Sequence, residues 1–109
     1  MKTITLDETR SALTDSRTVV IEVLPRKYYD HGHLPGARQT TNDEIGAQAK
    51  DLIPEKTTPV VLYCSGPTCG NSHAAGVTLT DLGYTDVRVF VGGKAAWTEA
   101  GLALERRAA

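Results

Sequence analysis

The amino-acid sequence predicts an α/β domain built on a mostly parallel sheet with helices on both faces. Three observations predict it. Apolar runs of strand length alternate along the chain with stretches of helical period. Two of those runs, residues 18–23 and 59–63, are almost continuously apolar and β-branched, the pattern of strands buried on both sides. The segments between them carry helix caps and stops, and strands that alternate with helices build parallel sheets.

In chain order, Asp7 is the predicted N-cap of a first helix of about two turns. Glu8 is favourable near the positive end of its dipole, and Ala12 and Leu13 turn inward. Residues 18–23 form the first strand, closed by Pro25. Residues 26–30 suit a single helical turn. Residues 31–37 read as a turn, because glycine supplies unusual backbone angles and Pro35 interrupts any ladder. Asn42 or Asp43 caps the next helix, which carries Ala47, Ala49 and Leu52 inward and stops at Pro54. The second strand, 59–63, runs straight into Cys64-Ser65-Gly66-Pro67-Thr68-Cys69-Gly70-Asn71. Ser72 then caps the best helix in the chain, with Ala75, Val77, Leu79 and Leu82 inside and Gly83 as its stop. Val87, Val89 and Val91 alternate as a third strand, and Gly92-Gly93 leads into a last helix with Ala96 and Trp97. Arg106 and Arg107 belong to a solvated tail.

With 109 residues the chain is expected to be one domain over 1–109, and 40% hydrophobic with 23% charged residues is ordinary globular composition. A formal charge of −1 gives no reason to expect nucleic acid or an acidic membrane as partner. No apolar run has the length of a membrane span. The opening residues turn polar and acidic too early for a signal peptide, so cytoplasmic residence is expected. In a reducing compartment, two neighbouring cysteines point to chemistry more than to scaffolding, and a disulfide closing so short a loop removes little chain entropy.

Ligands of parallel sheets bind beyond the carboxyl ends of the strands, where Cys64 lies. The small-residue loop after it delivers the chain to a helix N-terminus, so its backbone N–H groups are able to converge on an anion. A thiol in that field is expected to ionise more easily than a free one. The predicted substrate-binding loop comprises Ser65, Gly66, Pro67, Thr68, Gly70, Asn71 and Ser72, with His73 on the first helical turn. A buried strand-end cysteine that is only a small hydrophobe is the bland alternative. Cys64, Cys69 and His73, with His31 and His33 elsewhere, do not form the two paired clusters of a structural zinc site. No metal and no other cofactor is expected.

Five segments in this order resemble the rhodanese-like, single-domain sulfurtransferases: Val20-Ile21-Glu22-Val23; Tyr29-Asp30-His31-Gly32-His33-Leu34-Pro35-Gly36-Ala37; Val60-Val61-Leu62-Tyr63-Cys64; Leu82-Gly83-Tyr84 with Val87-Arg88-Val89-Phe90; and Gly92-Gly93-Lys94-Ala95-Ala96-Trp97 with Ala100-Gly101. The resemblance covers nearly the whole chain. It implies a five-stranded parallel domain in which Cys64 accepts a sulfane sulfur from a donor such as thiosulfate, a persulfide or a polysulfide. A thiol or protein acceptor then takes the sulfur from Cys64–S–SH, by covalent ping-pong catalysis. Loop N–H groups would cradle the outer sulfur. His33 would be a packed, hydrogen-bonded turn residue, and Trp97 a core or rim residue. Tyr28 and Tyr29 would flank the cleft, one packed and one facing solvent.

The chain departs from the family pattern in three places. No arginine or lysine lies between Cys64 and Ser72, and this loop is longer than the family's. His73 or Lys94 is left to supply the missing cation, and thiosulfate is expected to be a poor donor. Glu22 and Leu24 stand where the family commonly has aspartate and arginine. Cys69 is an addition. It is either a resolving thiol that forms a Cys64–Cys69 disulfide, or a loop residue without a catalytic role, and it is a minor candidate for the sulfur carrier. Two other functions remain open from the residues alone. One is a redox-sensing or sulfur-carrier module. The other is an oxyanion reductase or phosphatase, disfavoured because Gly70 stands where such enzymes carry an arginine.

Overall fold

The continuously apolar runs occupy the middle of the sheet in the computed structural model of the chain, which describes residues 1–106; of the predicted tail, Arg107 lies outside the described residues. The elements are β1 (Lys2–Ile4), α1 (Leu6–Ala12), β2 (Val19–Val23), α2 (Arg26–His31), β3 (Arg38–Thr40), α3 (Ile45–Leu52), β4 (Val60–Tyr63), α4 (Asn71–Asp81), β5 (Val87–Phe90) and α5 (Gly93–Glu99). The five strands are all parallel in the order β1-β5-β4-β2-β3. β4 is central, and every one of its side chains is buried.

Successive side chains of a strand point to opposite faces, which divides the core into two layers. Ile21, Val23, Val60 and Leu62 pack with Ile45 and Ala49 of α3 and Ala75 and Leu79 of α4. Val20, Val61, Tyr63 and Phe90 pack on the other face with Ala12 of α1 and Trp97 of α5. The double-sided sheet and its helical cover are as the sequence predicts. β1 and β3 escape a sequence reading because each is three residues long and two of their six residues are charged; as edge strands they need no apolar face on both sides.

Several element ends differ from expectation. The first helix is capped by Thr5, not Asp7, through a capping box: the Thr5 hydroxyl accepts from the Glu8 N–H at 3.1 Å, and the Glu8 carboxylate accepts from the Thr5 N–H at 3.0 Å. Thr5→Ala is expected to lower stability by about 1 kcal/mol, measured by urea denaturation; an unchanged midpoint would show the box to be dispensable. Glu44, not Asn42 or Asp43, precedes α3, because residues 41–44 form a turn of their own. Gly70 precedes α4, so Ser72 lies inside the first turn and its hydroxyl is directed elsewhere. On α4 only Ala75 and Leu79 of the predicted apolar set are buried, while Val77 and Leu82 are exposed. Ala47 is exposed on α3, and Val91 lies past the end of β5 and is exposed.

Candidate active site

Parallel β4 ends at Tyr63 between β2 and β5, so Cys64 emerges at the carboxyl edge of the sheet's centre. The next residues fold back on themselves: the Cys69 N–H donates to the Gly66 carbonyl at 3.0 Å. This turn brings Cys69 beside Cys64, whose thiol donates to the Cys69 carbonyl at 3.2 Å and to the Ser72 hydroxyl at 3.5 Å. The first turn of α5 fixes the loop from the other side. Lys94 N–H donates to the Cys64 carbonyl at 3.0 Å and Ala95 N–H to the Ser65 carbonyl at 2.9 Å. Such a close approach requires Gly93, at φ +60°, because a Cβ there would overlap the Cys64 carbonyl oxygen.

The two thiols sit in unequal fields. Cys64 is buried at 2% exposure, Cys69 half-buried. Burial pushes the Cys64 thiol up, and its hydrogen bond to the Cys69 side chain adds to the rise; the Ser72 hydroxyl and N–H oppose it without prevailing. At Cys69 burial also works upward, but the Cys64 thiol, the N–H groups of Asn71 and Ser65, and the Ser65 hydroxyl outweigh it and hold the thiol below its ordinary value. The expectation of an easily ionised Cys64 is thus corrected. The loop donors exist, but the turn seats Cys69 among them.

Glu22 is a second product of local sequence. A carboxyl within a buried apolar strand has to be paired. It is fully buried, and its Oε1 accepts from the Tyr63 hydroxyl at 2.9 Å and pairs with the Lys94 ammonium at 2.9 Å. Lys94 also donates to the Tyr28 carbonyl at 2.9 Å. Tyr63 in turn accepts from the Leu34 N–H at 3.0 Å, joining the Leu-Pro-Gly turn to the network. Burial raises the Glu22 pKa against the opposing pull of Lys94 and Tyr63, and its Oε2 has no hydrogen-bond partner. Lys94 therefore reaches the site with its charge already matched. The sequence contains the signal for this network in Glu22, but not the identity of its partners.

A cleft of about 310 Å³ opens beside Ser65, walled by Leu24, Tyr28, His31, Gly32, Lys94 and Leu104. Leu104 belongs to a C-terminal stretch held by an antiparallel bridge between His33 and Glu105. A Cβ on Gly32 would come within 2.9 Å of the Leu104 side chain. Gly32 and Leu104 are cleft residues that the sequence reading did not place. Tyr28 is exposed, whereas Tyr29 packs and stacks on His33, whose Nδ1 lies 2.8 Å from the Tyr29 carbonyl. Trp97 is a core residue with its ring N–H on the Ala103 carbonyl.

Of the predicted loop residues, Cys64, Cys69 and Ser72 come together, and Ser65 lines the cleft. Asn71 ties the loop to β2 through the Val23 carbonyl at 3.4 Å. Gly66 is buried under α5, while Pro67, Thr68, Gly70 and His73 are exposed. Among the described residues no group of three or more His, Cys, Asp or Glu is placed to hold a metal ion, and no helix is long and apolar enough to cross a membrane.

The fold is shared with other solved proteins. The BH2092 protein of Bacillus halodurans matches with a TM-score of 0.87 at 20% identity, over 96% of this chain and 77% of its own. The Alr3790 protein of Anabaena matches at 0.84 and 24%, over 94% and 80%. A human single-domain sulfurtransferase, TSTD1, matches at 0.78 and 26%, over 91% and 96%. The family model of the rhodanese-like domain matches residues 5–100, and with that span the chain belongs to the rhodanese-like domain family.

Proposed function

We propose that the protein is a sulfurtransferase that stores a sulfane sulfur as a persulfide on Cys64. The observation that carries this reading is the setting of Cys64. It stands at the end of the central strand of a rhodanese-like domain, with its carbonyl clamped by α5 and its sulfur beside the Ser72 hydroxyl and N–H. The likeness to a human sulfurtransferase supports it. In the first half-reaction a protein thiolate attacks the outer sulfur of the donor; the S–S bond of the donor breaks and its remainder leaves with the electron pair. In the second, an acceptor thiolate attacks the outer sulfur of the Cys64 persulfide, and Cys64 leaves as thiolate.

The donor class follows from charge. Residues 64–72 contain no lysine or arginine, and the Lys94 ammonium is paired with Glu22. Little at the site offsets the two charges of thiosulfate. A singly charged persulfide or a polysulfide is the better donor.

The test is intact mass after exposure to glutathione persulfide or thiosulfate, with fragmentation to locate the adduct. A gain of about 32 Da, one sulfur, is expected on Cys64, discharged by cyanide or a thiol. Cys64→Ser is expected to lower thiocyanate formation about tenfold or more. A wild-type protein that takes up no sulfur from either donor would overturn the reading, and an adduct resting only on Cys69 would move the role off Cys64.

A further inference from the structure

The persulfide reading leaves a difficulty, on which the following inference rests. Cys64 is nearly closed off from solvent, and its proton is engaged by the Cys69 carbonyl and the Ser72 hydroxyl. A donor arriving from the cleft does not meet this sulfur first. Cys69 is partly exposed, and Ser65 of the same loop forms part of the cleft wall. The loop thus has an outer thiol open to solvent and an inner one protected from it, and the N–H groups of Asn71 and Ser65 help hold the outer thiol below its ordinary value against its burial.

We propose that Cys69 is the donor-facing thiol, taking the sulfur first and passing it to Cys64 for storage. In the capture step the Cys69 thiolate attacks the donor's outer sulfur. One S–S bond forms, the donor's S–S bond breaks, and the donor leaves as thiolate, or as sulfite when it is thiosulfate. The Cys64 proton then moves to the new terminal sulfur, giving Cys69–S–SH and a Cys64 thiolate. Attack by that thiolate on the terminal sulfur yields Cys64–S–SH and returns Cys69 as thiolate. No oxidant or reductant is consumed in either step.

The direction of the second step has a physical basis. In exchange at sulfur the more weakly basic thiolate leaves more readily, and Cys69 is the more acidic of the two. Closeness supplies the rest. The Cys64 thiol already lies 3.2 Å from the Cys69 carbonyl oxygen, so the transfer is intramolecular and needs no diffusion. The same arrangement gives Cys69 a role that the family's arginine-bearing loop does not suggest. It stabilises nothing by charge and instead supplies the reacting atom.

Rapid-quench mass spectrometry of sulfur loading from glutathione persulfide tests this. In the wild type the added sulfur is expected on Cys69 at the earliest quench times and on Cys64 later, whereas in Cys64→Ser it is expected to remain on Cys69. Cys69→Ser is expected to load about tenfold more slowly or worse, because its remaining thiol is buried and protonated. The low-pH limb of the loading profile is expected to move to higher pH in Cys69→Ser, whose remaining thiol is pushed up by burial. A measurement without mutagenesis guards against misfolded variants: brief iodoacetamide treatment of the reduced protein is expected to alkylate Cys69 first, and that singly alkylated protein to have lost loading. Loading of Cys69→Ser at the wild-type rate, or first alkylation at Cys64, overturns the relay and leaves the sulfurtransferase reading in place. A Cys64–Cys69 disulfide with release of sulfide also overturns it, since attack would then be on the inner sulfur. Absence of loading in the wild type would sink both.

Discussion

Gly93→Ala is expected to destabilise the protein by roughly 2–4 kcal/mol, read as a lower urea midpoint, and to slow sulfur loading in parallel. Two effects combine. The residue holds φ +60°, which an L side chain rarely adopts, and its new Cβ would overlap the Cys64 carbonyl and lie 2.9 Å from the Gly66 nitrogen. Both neighbours are backbone atoms of the loop, held there by Lys94 and Ala95, so neither is able to swing aside as a flexible side chain would. Gly101 is the matched control. It has φ +79° but open space around it, so Gly101→Ala is expected to show only the conformational part, about 1 kcal/mol. Equal losses in the two variants would show that the contact with the cysteine loop is unimportant.

The second large effect is at the buried ion pair. Lys94→Met is expected to destabilise the fold by about 2–4 kcal/mol near neutral pH, because it leaves the fully buried Glu22 carboxylate without its counter-charge. The pH dependence identifies the cause. Burial already holds the Glu22 pKa above its ordinary value, so the native state binds this proton more tightly than the unfolded chain does. That contribution is favourable in acid and is lost as pH rises from the unfolded value through the raised native one. Removing Lys94 raises the native value further. The loss is therefore expected to be largest near pH 8 and to shrink towards pH 4, in urea titrations at both. Glu22→Gln in the Lys94→Met background is expected to restore much of the stability at the higher pH. A loss of the same size at both pH values, or no recovery in the double variant, would attribute the effect to packing alone.

How much of this was legible follows from the range of each interaction. The central strands were readable because double-sided burial leaves an unbroken apolar run, as at Val60–Tyr63. The helices were readable in type but less so at their ends. Several residues near Thr5 are good caps, and which is used depends on where Glu8 folds back. Edge strands β1 and β3 carry little signal, since their pairing comes from neighbours distant in sequence. At the site, the four residues between Cys64 and Cys69 permit their meeting without requiring it, and Ser72 reads as a helix cap rather than as a partner of Cys64. The inversion of thiol acidity was not readable. It arises from a single turn between Gly66 and Cys69 that decides which sulfur the N–H groups face. Likewise Glu22 announces a need for a partner, while Tyr63 and Lys94 answer it from forty and seventy residues away, roughly the distances at which local pattern is silent.

The wall of the cleft formed by the C-terminal stretch is fastened very differently from the strand that carries Cys64. β4 is laced on both sides along its length, whereas the stretch around Leu104 is held by two backbone hydrogen bonds between His33 and Glu105, by the Glu105 carboxylate on the Gly36 N–H, by the Trp97 ring N–H on the Ala103 carbonyl and by the packing of Leu102 and Leu104 against one edge of the core. Free energies of local opening follow such inventories, so this stretch is expected to detach below the threshold for global unfolding. The protein is thus expected to have two melting scales: a cleft that loosens its outer side on mild warming, and a cysteine-bearing centre that stays ordered until the whole sheet gives way.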